Sequence, residues 1–129
     1  MLNIDKQIEY WIEGAKNDLD AAELLIKNGK FLHGLFFCHL AIEKAIKAFV
    51  VKETKEVPPR SHNLIYLSEK ANLLLGEEFT MFIGVLMKYQ LEGRYPDYQP
   101  EITSIEVAKE YLAKTKNLLI WLENQLLNF

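Results

Sequence analysis

His39, Glu43 and Lys47 recur at every fourth residue inside the run HGLFFCHLAIEKAIKAFVV. In a helix that spacing stacks imidazole, carboxylate and ammonium along one side. His62 follows Pro58-Pro59 closely, and Arg94-Tyr95-Pro96-Asp97-Tyr98 follows a later apolar stretch. Such a set suits phosphate recognition, because cations bind phosphate oxygens while a carboxylate orients the cations. Arg94 shares the chain only with Arg60 as an arginine, and Tyr95 and Tyr98 offer rings on which a guanidinium can stack. Each residue also has a plainer reading. Glu43 and Lys47 could form a surface ion pair worth about 0.3–0.5 kcal/mol beside a half-buried His39. His62 could be an exposed residue near a helix start, and Arg94 could tie down its own loop through Asp97 or helix-end carbonyls.

The elements that must position these groups read as helices. Ile8, Ile12, Ala15, Leu19, Ala22 and Ile26 alternate steps of four and three, predicting a first helix that ends near Asn28-Gly29. Phe31, Leu35, Cys38, Ile42, Ala45 and Phe49 repeat the rhythm in a second, and the matched stripes predict an antiparallel hairpin. Pro58 and Pro59 break the pattern, since proline lacks an amide donor and biases its predecessor away from helix. Ser61 is positioned to cap a third helix with the stripe Leu64, Leu67, Ala71 and Leu74, and Gly76 separates it from a fourth carrying Phe79, Phe82, Ile83, Leu86 and Met87. That fourth pattern is lost at Glu92-Gly93, and Arg94 to Thr103, with Pro96 and Pro100, reads as an ordered non-helical loop. Thr103 or Ser104 can cap a final helix whose stripe runs Ile105, Ala108, Leu112, Thr115, Leu119, Leu122 and Leu126. No segment alternates with period two for long. The expectation is one all-α domain over residues 1–129, an up-and-down four-helix bundle with an additional fifth helix.

Half of the 129 residues are hydrophobic, so one well-buried core is expected. The 15 basic and 18 acidic residues nearly balance, which excludes a broad, non-specific DNA coat. Lys44, Lys47, Lys52, Lys55 and Arg60 form a local basic excess over Glu43, Glu53 and Glu56, a composition that also suits the C-terminal dipole of a helix. Cys38 is the only cysteine, so neither an intrachain disulfide nor a thiolate metal cage can form, as fits a reducing cytoplasm. The beginning of the chain mixes acids with apolar residues unlike a signal peptide, and His39, Glu43 and lysines interrupt the apolar stretches short of a membrane span. A cytoplasmic protein without membrane attachment is expected. Phe36, Phe37, Ile46 and Val50, added to the core stripe of the second helix, exceed what one buried face absorbs and so predict self-association. Three metal or phosphate motifs are missing: paired Glu-x-x-His for di-iron, His-Glu-x-x-His for zinc, and a clustered glycine loop.

Four words in order, AKNDLDAAELL, HLAIEKAIKAFVV, PPRSHNLIYL and RYPD, resemble the HEPN domain, the helical domain often paired with minimal nucleotidyltransferases. The resemblance covers Asp5 to Leu122. It implies a homodimer and a nucleotide or RNA site lined by His39, Glu43, Lys47, His62, Arg94 and Tyr95, with an ATP-like nucleotide as ligand and no metal. Many members of that family are metal-independent ribonucleases that use an arginine followed, after four to six intervening residues, by a histidine. Here those positions hold Gln99, Pro100 and Glu101 after Arg94, and Ile65, Tyr66 and Leu67 after Arg60. The nuclease signature is absent, so no catalytic residue is assigned. The resemblance therefore implies a non-catalytic nucleotide-binding module acting with a separately encoded nucleotidyltransferase. The alternative is a ribonuclease toxin of a toxin-antitoxin pair, its missing base supplied by His39 or His62.

Overall fold

The computed structural model describes residues 2–91 and 104–127. Five α-helices follow one another: α1 (Ile4–Lys27), α2 (Phe31–Thr54), α3 (Leu64–Lys70), α4 (Gly76–Met87) and α5 (Ile105–Leu127). Among the described residues there is no strand. Asn3 caps α1, its side chain accepting the Lys6 N–H at 3.0 Å. The helix stops where Gly29 takes φ +80°, letting Lys30 N–H reach the Leu25 carbonyl at 2.8 Å and close the last turn. The chain then reverses into α2.

Contacts along the hairpin run in opposite directions: Gly34 lies against Ile26, Lys44 against Asp18, and Lys47 against Trp11. Residue Gly34 is what allows the close approach at the turn end. A Cβ there would stand 2.5 Å from Ile26 Cγ1 and 3.3 Å from the Ala22 carbonyl. Helix α5 runs antiparallel to α1, joined by the Lys116–Glu23 and Lys16–Glu123 ion pairs. Helix α4 runs antiparallel to α5, with Phe79 on Trp121 and Phe82 on Tyr111. The four long helices thus alternate in direction, and the short α3 is the additional one.

Helix α2 is the centre, packing against all four others. Its buried residues run right round its girth and include Leu35, Ile42, Ile46, Phe49 and Val50. Of the four residues behind the expected self-association, Ile46 and Val50 are wholly buried within one chain, whereas Phe36 and Phe37 are only partly buried. Two boundaries move. Helix α3 ends at Lys70 because Asn72 turns left-handed at φ 53° and Leu73 N–H bonds the Ser68 carbonyl, so Leu74 is exposed and Leu75 buried in its place. Helix α4 begins at Gly76 and ends at Met87, short of Glu92-Gly93.

Cys38 is buried beside Thr115 of α5, and burial pushes its thiol up from 9.0 to about 11. The folded chain then holds its proton more tightly than the unfolded chain. The resulting stability is full below pH 9.0 and is lost as pH rises towards 11. A Cys38→Ala variant should lose less stability than wild type across that window in parallel urea titrations. Equal losses would show that the thiol does not contribute.

Candidate functional site

The site forms where the loop leaving α2 returns to the middle of that helix. Lys55 ends α2 in the left-handed region at φ 61°, and Pro58 and Pro59 forbid its continuation. Ser61 N–H then bonds the Pro59 carbonyl, and Ser61 Oγ accepts the Asn63 N–H. Asn63, rather than Ser61, caps α3, its side chain accepting the Tyr66 N–H at 3.0 Å. Ser61 instead shapes the residue before the cap. Between these two constraints His62 is laid against α2.

Two side chains one turn apart on α2 grip that histidine. Glu43 Oε1 accepts from His62 Nδ1 at 2.8 Å, and His39 Nε2 donates to the His62 carbonyl at 3.2 Å. The other carboxylate oxygen, Oε2, accepts from Lys47 Nζ at 3.0 Å. His39, Glu43 and Lys47 are only 0%, 4% and 6% exposed, so the spacing of four describes a buried network and not a surface ion pair. The His62 side chain remains 44% exposed and is the member through which this network meets the surface. With Nδ1–H donated to a carboxylate, the neutral ring carries its lone pair on Nε2.

Charge balance explains why the network is tolerated. An unpaired buried carboxylate would cost several kcal/mol, but Lys47 neutralises Glu43 at contact distance. Lys47 in turn lies under Trp11 of α1, its Nζ 5.3 Å from the ring centroid, within cation–π range. Among the described residues Lys47 is thus enclosed between Glu43 and Trp11. Trp11 is not among the residues singled out by spacing, and a lone tryptophan on a helix stripe gives no signal of the contact. Its ring also meets Tyr10 edge-on at 5.1 Å, and its buried Nε1 finds no acceptor among the described residues.

The structure therefore brings together four of the six residues singled out from sequence: His39, Glu43, Lys47 and His62. Arg94 and Tyr95 lie outside the described residues. The basic excess of α2 does not form one face. Lys44 pairs with Asp18 at 2.8 Å, Lys47 with Glu43, and Lys52 donates to the Leu126 carbonyl at 3.0 Å. Among the described residues, no group of three or more His, Cys, Asp or Glu is arranged to hold a metal, and no helix is long and apolar enough to cross a membrane.

The HEPN domain model matches residues 8–125. Of solved structures, TT1696 from Thermus thermophilus is similar at 24% identity with a TM-score of 0.76, covering 92% of this chain and 97% of that one. ST0689, described as an archaeal HEPN homologue, is similar at 23% identity with a TM-score of 0.69, covering 92% and 96%. At such identity these likenesses establish the shared fold. No curated protein matches the chain.

Proposed function

The chain belongs to the HEPN domain family, and from that premise we propose that it is a dimeric nucleotide-binding module, not itself catalytic, that works with a separately encoded nucleotidyltransferase. The observation that carries this reading is the grip on His62. Helix α2 commits three buried positions to a polar network whose exposed member, among the described residues, is an imidazole. Because Lys47 already balances Glu43, a protonated His62 would present net positive charge to an anion. In this mechanism His62 and Arg94 hold phosphate oxygens, and Tyr95 stacks on the base. Glu43, His39 and Lys47 position His62.

A second reading has its own support. The Glu43–His62 contact is the carboxylate–imidazole arrangement that fixes a histidine tautomer for proton transfer. A ribonuclease of atypical site would use His62 in this way on a ribose hydroxyl, with the nucleotidyltransferase as its antidote. One experiment separates the readings: calorimetric titration of ATP into the full chain, alongside an RNA cleavage assay without metal. The binding module predicts that Arg94→Ala and His62→Ala each weaken ATP affinity about tenfold or more, with no cleavage by any form. Cleavage by wild type that disappears in His62→Ala would replace it with the ribonuclease. ATP binding undetected at millimolar concentration would sink the nucleotide reading. Affinity capture of the tagged protein from its host, with mass spectrometry, tests for the nucleotidyltransferase.

A further inference from the structure

Between the prolines and His62 stands Arg60, one of the two arginines of the chain. The backbone around it is fixed. Pro58 is buried, and the Ser61 N–H returns to the Pro59 carbonyl at 2.9 Å, a three-residue turn with Arg60 at its centre. Ser61 Oγ then accepts the Asn63 N–H at 3.1 Å, and His39 holds the His62 carbonyl at 3.2 Å. Arg60 is nevertheless exposed, and among the described residues its side chain makes no hydrogen bond and no ion pair. The lysines of α2 differ in this respect. Lys44 is held by Asp18, Lys47 by Glu43, and Lys52 by the Leu126 carbonyl. Of the carboxylates nearest Arg60 in sequence, Glu53 accepts from Asn72 at 2.9 Å, and Glu56 forms no ion pair with Arg60.

Arg60 precedes His62 by two residues, so their Cα atoms are at most about 7 Å apart. An arginine side chain is long enough to share one ligand with the imidazole across that distance. The two groups make different contacts. His62, with Nδ1 on Glu43 at 2.8 Å, meets a phosphate only through Nε2, one bond to one oxygen. A guanidinium stays charged at any working pH and presents parallel N–H groups that grip two phosphate oxygens at once. A second phosphate, joined to one seated on His62, has the reach and the charge to use that fork. We infer that Arg60 is a second phosphate-binding residue beside His62, and that the site takes a nucleoside polyphosphate in preference to a monophosphate. The first phosphate lies on the imidazole, and the next extends along the turn to the guanidinium. This inference rests on the nucleotide site proposed above and adds to it the end that counts phosphates.

Calorimetric titration of ATP and of AMP into the full chain, without added metal, tests it. Wild type should bind ATP about tenfold or more tighter than AMP. Arg60→Ala should remove that preference by weakening ATP alone, with AMP affinity and the urea midpoint of unfolding unchanged. Arg60→Lys keeps the charge but loses the fork, so it should recover part of the preference. Equal weakening of both nucleotides in Arg60→Ala would assign Arg60 to the support of the His62 loop and overturn its contact with phosphate. A wild-type preference for ATP that survives in Arg60→Ala, or equal wild-type affinity for the two nucleotides, would overturn the inference and leave the nucleotide site standing. Binding of neither nucleotide by wild type would overturn both.

Discussion

Glu43→Ala should cost about 3–5 kcal/mol of folding stability, the range for breaking a buried ion pair from one side. The substitution removes a carboxylate that is 4% exposed and strands the Lys47 ammonium between α2 and the Trp11 ring. It also releases the His62 ring from its Glu43 hydrogen bond. Urea titration followed by circular dichroism measures the loss. The paired substitution Glu43→Leu with Lys47→Met should recover most of it, because apolar side chains of similar length fill the same space without an ion to compensate. A single variant within about 1 kcal/mol of wild type would mean that Lys47 simply reaches water when freed. The double variant has a second use. A stable protein that no longer binds ATP would place the network's value in function rather than in folding.

Gly34→Val should destabilise the fold by about 1–3 kcal/mol, the usual penalty for added bulk in a packed interior. Its Cβ would stand 2.5 Å from Ile26 Cγ1, in a side chain that is 1% exposed, and close to the Ala22 carbonyl, which is backbone and cannot rotate away. Helices α1 and α2 would have to separate. Since α1 carries Trp11, the strain should also reach the far end of the hairpin and loosen the cover over Lys47. Gly34→Ala should show the same sign with smaller size, because the gain of about 1 kcal/mol in helix propensity offsets part of the clash. A gain in urea midpoint for either variant would show that the hairpin opens without penalty.

The helices were legible in the sequence because burial imposes its own period. Ala15, Ala22 and Ile26 on α1, and Ala108, Leu112, Leu119 and Leu122 on α5, are buried as their spacing predicts. The end of α3 was not, since Leu74 continues the stripe while Asn72, a short polar residue able to turn left-handed, stops the helix first. The contents of the site were legible as types and spacing, but their burial was not. Whether Glu43 faces core or solvent depends on α1 and on the loop after Pro59, which are remote in sequence. Nothing local to the stripe reports that Trp11 covers Lys47, or that His39 holds the backbone of His62 while Glu43 holds its ring.

The two tryptophans of the chain stand at different places in this scheme. Trp11 covers the Lys47 end of the polar network, and Trp121 packs on Phe79, which lines a groove between α4 and α5. The protein therefore carries one intrinsic fluorophore beside the polar network and another beside that groove. With Trp121 replaced by phenylalanine, emission reports on the imidazole site alone; with Trp11 replaced, it reports on the α4–α5 groove alone. Events at the two places, which overlap in any bulk measurement of mass or heat, become optically separable without an attached dye.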